Sequence, residues 1–164
     1  MVITIQALSS NHDRAAFDCG NESMNGWLRQ SARQHQEKDL ARTYVAISSS
    51  EPGKIVGYYA IATTSIATEG MAGTKLPSNV SAVLLGRLAI DASCQGQGLG
   101  EFILMDALAR IVRTAELVGV RCIVVDAIDE NATRFYERYG FVRLTTKPMT
   151  LVMHLHTVRQ LLQA

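Results

Sequence analysis

Apolar and polar residues alternate over Val2–Ala7, the period-two signature of a strand with one buried face. A helical pattern opens at Ser23, a candidate N-cap, with Trp27, Leu28 and Ala32 on its apolar side. Thr43–Ser48 and Lys54–Thr64 read as a strand pair joined by a polar turn containing Pro52-Gly53. Ile66–Asn79, rich in Gly, Ser and Thr, reads as a loop. Val83–Ile90 is a buried strand. After it Phe102, Met105, Leu108, Val112 and Ala115 recur at helical spacing towards Gly119, a C-cap candidate. Arg121–Ala127 is an apolar strand, and Glu130–Tyr139 a helix ended by Gly140. Met149, Leu151, Met153 and Leu155 alternate as a last strand, and Thr157 can cap a terminal helix. This order predicts an α/β (α+β) sandwich with a mixed, mostly antiparallel central sheet flanked by helices. One strand–helix–strand crossover joins the Val83 and Arg121 strands.

Composition narrows the class. At 164 residues and 48% hydrophobic, the chain 1–164 reads as a single domain with ample core material. Sixteen Lys+Arg against fifteen Asp+Glu leave +1, so no global basic field marks a nucleic-acid binder, and RNA contact would need local patches. Cys19, Cys94 and Cys122 are odd in number and lack metal-ligand spacing, which suggests reduced thiols, no metal and a cytoplasmic location. No stretch approaches the roughly 20 apolar residues of a membrane span, and no signal peptide is visible.

The chemistry concentrates where the Val83–Ile90 strand gives way to Gln95-Gly96-Gln97-Gly98-Leu99-Gly100 and a helix. Alternating glycines let backbone N–H groups face a ligand, and the helix N-terminus adds partial positive charge; together they suit phosphate. A dinucleotide fingerprint requires G-x-G-x-x-G in a first βαβ unit, and a P-loop requires G-K-[ST]; neither is present. The remaining pattern is Q/R-x-x-G-x-G/A, satisfied by Gln95–Gly100.

That turn resembles the pyrophosphate loop of the GNAT acetyltransferases. Ala132-Thr133-Arg134-Phe135-Tyr136-Glu137-Arg138-Tyr139-Gly140-Phe141 is similar to the A-x-x-[FL]-Y-x-x-x-G-F segment of the same family. The resemblance implies acetyl-CoA as cosubstrate, bound by Gln95, Gly96, Gln97, Gly98, Leu99 and Gly100. It implies that the main chain of Leu88, Ala89 and Ile90 pairs with pantetheine and polarises the thioester. It also implies Tyr136 as general acid, since a neutral phenol can protonate a departing thiolate. A core tyrosine on an amphipathic helix is the alternative reading of Tyr136, and Phe135 and Phe141 fit the core better. Many members carry Asn seven residues before that tyrosine; here Asp129 stands there and reads as a helix N-cap.

Phe17–Ser23, Ala41–Val45, Leu85–Ala89 and Pro148–Leu151 are more specifically similar to the tRNA-acetylating toxins of bacterial toxin–antitoxin pairs. This implies acetylation of the α-amine of aminoacyl-tRNA, a homodimer and a ribbon-helix-helix antitoxin. Arg29, Arg33, Lys38 and Arg42, with His35, form a basic stretch interrupted by Glu37 and Asp39. From charge alone it reads as a solvated helix face. Arg87, inside a buried-strand pattern, needs a partner or an anionic ligand. Arg134 and Arg138 flank Tyr136, with salt bridges to Glu130 or Glu137 as their structural alternative. All seven basic residues are tRNA-contact candidates. Cys19 and Cys94 sit in no Cys–His arrangement, which favours direct transfer over an acetyl-enzyme. The rival functions are acetylation of a protein N-terminus or small-molecule amine, and a non-catalytic acyl-CoA-binding regulator.

Overall fold

The structure, a computed structural model, describes residues 2–71 and 75–163. Its elements are β1 (Ile3–Ala7), α1 (Glu22–Gln30), α2 (Ala32–Glu37), β2 (Arg42–Ser48), β3 (Glu51–Ala67), β4 (Asn79–Ile90), α3 (Leu99–Ala115), β5 (Cys122–Asp126), α4 (Glu130–Arg138), β6 (Val142–Arg143), β7 (Thr150–His154) and α5 (Leu155–Gln163). Among the described residues the strands form a seven-stranded mixed sheet, ordered β1-β2-β3-β4-β5-β7-β6. β1·β2, β2·β3, β5·β7 and β6·β7 pair antiparallel, whereas β4·β5 is parallel and linked through α3.

The chain divides into two compact units. The first comprises Met1–Ala62 and Arg87–Ala107. Tyr44 on β2 stands opposite Tyr59 on β3. Leu28 and Ala32 pack with Val45, Ile47, Ile55 and Tyr58. Burying a side chain such as Leu28 contributes about 1.5–3 kcal/mol. The fully buried Tyr58 donates its hydroxyl to the Met24 carbonyl at 2.7 Å, so its polar end is satisfied inside the core.

The second unit comprises Thr63–Gly86 and Leu108–Ala164. Ala82, Val83 and Leu84 pair with Cys122, Ile123 and Val124 in parallel register. Ile123 and Val124 in turn lie opposite Met153 and Val152 of β7. β5 is buried from Cys122 through Val125, as its unbroken apolar run requires.

Several expectations are corrected. Asn21, not Ser23, caps α1, and its side chain accepts the Met24 N–H at 3.0 Å. The β2–β3 turn falls at Ser49-Ser50, where Ser48 Oγ meets Ser50 Oγ at 2.8 Å; Pro52-Gly53 lies inside β3, close to a register shift that tolerates a residue without an N–H. Part of the Ile66–Asn79 loop is strand, since β3 runs to Ala67 and β4 begins at Asn79, while Gly73 falls outside the described residues. The buried face of α3 is Ile103, Leu104, Ala107, Leu108 and Ile111, and Phe102 is 46% exposed. Apolar residues occupy more than one side of this helix, so two registers fit the period. Gly119 is no left-handed cap: α3 tightens at its end through Leu117 N–H to Thr114, and the Gly119 carbonyl accepts the Ser81 hydroxyl at 2.8 Å. Leu155 and Thr157 belong to α5, which starts directly where β7 ends.

Candidate active site

Several contacts set the glycine turn. The Asp91 N–H donates to the Val56 carbonyl at 2.9 Å, anchoring the end of β4 on β3. A 3-10 turn over Ala92–Cys94 follows, capped by Asp91, which accepts from Ser93 N–H at 3.1 Å and Ser93 Oγ at 2.6 Å. Gln95 Nε2 donates to the carbonyls of Ile90 at 3.0 Å and Cys19 at 3.1 Å. Its carboxamide therefore holds the turn in place, tied to Ile90 and to the segment before α1. Gly96 and Gly98 adopt φ of 78° and 77°, the left-handed region, with open space where a Cβ would stand. The Phe102 N–H bonds to the Gly98 carbonyl at 3.2 Å, so the N–H groups of Gly98 to Glu101 precede the helical ladder. These are the groups that a helix N-terminus offers to an anion.

The Phe17–Ser23 segment clasps this turn. Asp91 Oδ1 accepts the Asp18 N–H at 2.9 Å, and the Asp18 carbonyl accepts the Ala92 N–H at 2.8 Å. Asp18 Oδ1 in turn accepts Asn25 Nδ2 and Gly20 N–H, both at 2.9 Å, and Asn25 Oδ1 accepts the Cys19 N–H at 2.9 Å. Burial favours the neutral acid at Asp91, but bonds from Ser93 and Asp18, with the Lys54 charge, outweigh it and hold the carboxyl below its usual range. Sequence reasoning missed Asp91, Asp18 and Asn25. Asp-x-Ser and Asp-x-Gly spacings, both turn signatures, were the available signal.

Gly57 on β3 permits the tight packing behind the turn. A Cβ there would stand 2.5 Å from Ile103 Cδ1 of α3 and 3.1 Å from the Ala89 carbonyl oxygen. Only glycine lets strand and helix approach so closely. The registered pairing of β4 with β5 covers Ala82–Leu84, while Leu88, Ala89 and Ile90 lie further along β4.

Tyr136 lies on α4 in the second unit. Asp129 caps this helix as expected, accepting the Ala132 N–H at 2.8 Å, and Gly140 ends it with φ 104°. Tyr136 is 7% exposed and packs edge-on against Phe135 at 5.2 Å and Phe141 at 5.4 Å. Burial pushes its pKa above the ordinary phenol value, so the hydroxyl is protonated at neutral pH.

The basic candidates divide among different partners. Arg29 pairs with Glu22 at 2.8 Å, Arg33 with Glu37 at 3.5 Å and Arg42 with Asp39 at 2.6 Å, as a solvated face requires. Arg87 instead places its guanidinium 4.9 Å from the Trp27 ring centroid, and Trp27 lies parallel to Tyr58. An aromatic partner leaves the arginine's net charge in place. Glu130 and Glu137 are both taken by Arg143, at 3.0 and 3.1 Å, so they are not set aside for Arg134 and Arg138; Arg134 bonds to Asn131. Cys94 is buried, and burial raises the half-buried Cys19 thiol above its usual pKa, the opposite of an activated nucleophile.

Within the first unit a strand end, two left-handed glycines and a helix N-terminus come together in one turn, an arrangement whose backbone N–H groups suit an anion. Residues 39–143 match the family model of the acetyltransferase (GNAT) domain, and the chain belongs to that family. It is 33% identical over 158 residues to the "tRNA-acetylating toxin" of Mycobacterium tuberculosis (strain ATCC 25618 / H37Rv), covering 94% of this chain and 93% of the relative. It is similar to AtaT complexed with acetyl-methionyl-tRNAfMet, with TM-score 0.90, 26% identity and coverage of 98% and 99% of the two chains. A mutant AtaT toxin bound to the C-terminus of the antitoxin AtaR and acetyl-CoA matches with TM-score 0.84 and 29% identity, over 99% of each chain.

Proposed function

We propose that this protein transfers the acetyl group of acetyl-CoA to the α-amine of an aminoacyl-tRNA and so blocks translation. The observation that carries this reading is the Gln95–Gly100 turn ahead of α3, with its two left-handed glycines. Identity to a relative named for tRNA acetylation supports the acceptor.

Backbone N–H groups from Gly96 to Gly100 hold the pyrophosphate, and the Gln95 side chain keeps the turn in register. The main chain of Leu88, Ala89 and Ile90 aligns the pantetheine arm and polarises the thioester carbonyl. Acetyl-CoA supplies an acyl group activated by a thiolate leaving group. An α-amine of pKa about 7.7–8.0 is partly neutral at pH 7, so orientation replaces a strong general base. The amine nitrogen bonds to the acetyl carbon as the carbon–sulfur bond breaks, and Tyr136 gives its phenolic proton to the sulfur. The proton lost from the nitrogen replaces it.

Arg87 and the Arg29, Arg33, Lys38 and Arg42 stretch are the proposed contacts to the tRNA backbone, with Arg134 and Arg138 beside Tyr136. A ribbon-helix-helix antitoxin, a homodimeric assembly, a single domain over 1–164 and a cytoplasmic site of action complete the proposal. Among the described residues no helix is long and apolar enough to cross a membrane.

Incubation with labelled acetyl-CoA and charged total tRNA, followed by mass spectrometry of the released aminoacyl groups, tests it. N-acetyl-aminoacyl products are expected. Their absence, with acetylation of peptide N-termini or free amines instead, overturns the tRNA assignment.

A further inference from the structure

The second unit holds a cavity of 460 Å³ to which the mechanism above assigns nothing. Its floor is apolar. Leu84 and Val124 are register partners, the last pair of the parallel β4·β5 ladder, and Leu144 and Ile66 complete the surface. The rim is charged: Glu69 and Asp126 supply two carboxylates and Lys147 one ammonium, which leaves net negative charge. The Thr150 hydroxyl donates to Asp126 Oδ1 at 2.8 Å and fixes the carboxylate beside the apolar floor. The volume lies within the roughly 300–1,000 Å³ usual for small-ligand sites.

An apolar floor favours a hydrocarbon side chain, and a fixed carboxylate favours a primary ammonium. A molecule carrying both a few atoms apart is an α-amino acid esterified or amidated at its carboxyl end. We propose that this cavity receives the aminoacyl end of the acceptor, with an apolar side chain on Leu84, Val124 and Leu144 and the α-amino group at Asp126, which binds it as the ammonium and takes up that proton before the neutral nitrogen attacks. The assignment rests on the aminoacyl-tRNA reading and adds a substrate class to it. Acidic side chains are repelled by the rim, and apolar ones larger than alanine gain most.

Two measurements test the cavity, one of them independent of tRNA. Leucinamide titrated into the ¹⁵N-labelled protein should shift resonances of β5 and β7, whereas N-acetyl-leucinamide, which lacks the ammonium, should not. Asp126→Asn keeps an acceptor for Thr150 but removes the charge. It should weaken leucinamide binding about tenfold or more, the range of a lost charge-assisted bond, and leave acetyl-CoA affinity unchanged. In acetylation assays leucyl- and methionyl-tRNA should exceed aspartyl- and glutamyl-tRNA at least tenfold in kcat/KM. Ala67→Trp, on the exposed rim, should fill the cavity and reverse the preference of leucyl- over alanyl-tRNA. Equal acetylation of all aminoacyl-tRNAs, with neither variant changing selectivity, overturns the cavity assignment and leaves the tRNA function standing. Leucinamide binding through Asp126 without acetylation of any aminoacyl-tRNA supports the cavity and overturns the function. Absence of both overturns both.

Discussion

Asp91 and Asp18 are bonded in both directions: the Asp91 carboxylate accepts the Asp18 N–H, and the Asp18 carbonyl accepts the N–H of the residue after Asp91. This joins the segment before α1 to the start of the glycine turn. Asp91→Ala should raise the KM for acetyl-CoA about tenfold while kcat stays within a few-fold, because the turn is displaced and the reacting atoms are not touched. Unfolding free energy should fall by about 1–3 kcal/mol for the donors left unsatisfied. Steady-state kinetics and urea unfolding separate the two effects.

Tyr136→Phe removes the proposed proton donor and keeps the ring that packs on Phe135 and Phe141. A lost general acid costs typically 10²–10⁴-fold in rate, so kcat should fall by about that much with the acetyl-CoA KM unchanged. The wild-type rate should show no loss from phenol ionisation up to about pH 10, because burial raises the pKa above that ordinary value. Full activity in the variant eliminates Tyr136 as the acid.

Gly57→Ala places a methyl group against Ile103, which is itself fully buried and has nowhere to retreat. Overpacking of this kind costs about 1–3 kcal/mol. Thermal or urea unfolding should register that loss, and the acetyl-CoA KM should rise as β4 and α3 are pushed away from β3. A neutral outcome means that the strand and helix shift without cost.

His12 gives the fold a pH dependence. Its Nδ1 accepts the Ser9 N–H at 3.0 Å, so the ring is the Nε2–H tautomer, bonded to Gln6 Oε1 at 3.0 Å. Burial lowers its pKa, because a desolvated ring disfavours the charged imidazolium. The native state thus binds this proton less readily than the unfolded chain does. Stability is complete above the ordinary value near 6.5 and declines as pH falls through the depressed one. His154, also lowered by burial and by Arg121, acts in the same direction. Urea midpoints should drop between pH 7 and pH 5, and His12→Gln should flatten part of that slope.

The features closest to chemistry were legible because they rest on local sequence. Gly96 and Gly98 need left-handed backbone, Asp129 caps the helix that follows it, and Gly140 ends that helix; each announces itself within a few residues. Features that depend on distant partners were not legible. Asn21 takes the cap from Ser23 because the Asp18–Asn25 bonds fix where the preceding loop enters α1. Phe102 and Met105 satisfy helical periodicity as well as Ile103 and Ala107 do, and only the packing beneath selects between them. Glu130 and Glu137 looked like partners for Arg134 and Arg138, yet Arg143, from a two-residue strand too short to leave a pattern, takes both.

Gln95 bridges two carbonyls far apart in the chain, those of Cys19 and Ile90. Both bonds are made in the free protein, so the entropy of ordering the turn has already been spent when the protein folds. A pyrophosphate bound as proposed would then enter like a key into a cut lock, with association set by encounter and charge and no slow rearrangement after contact.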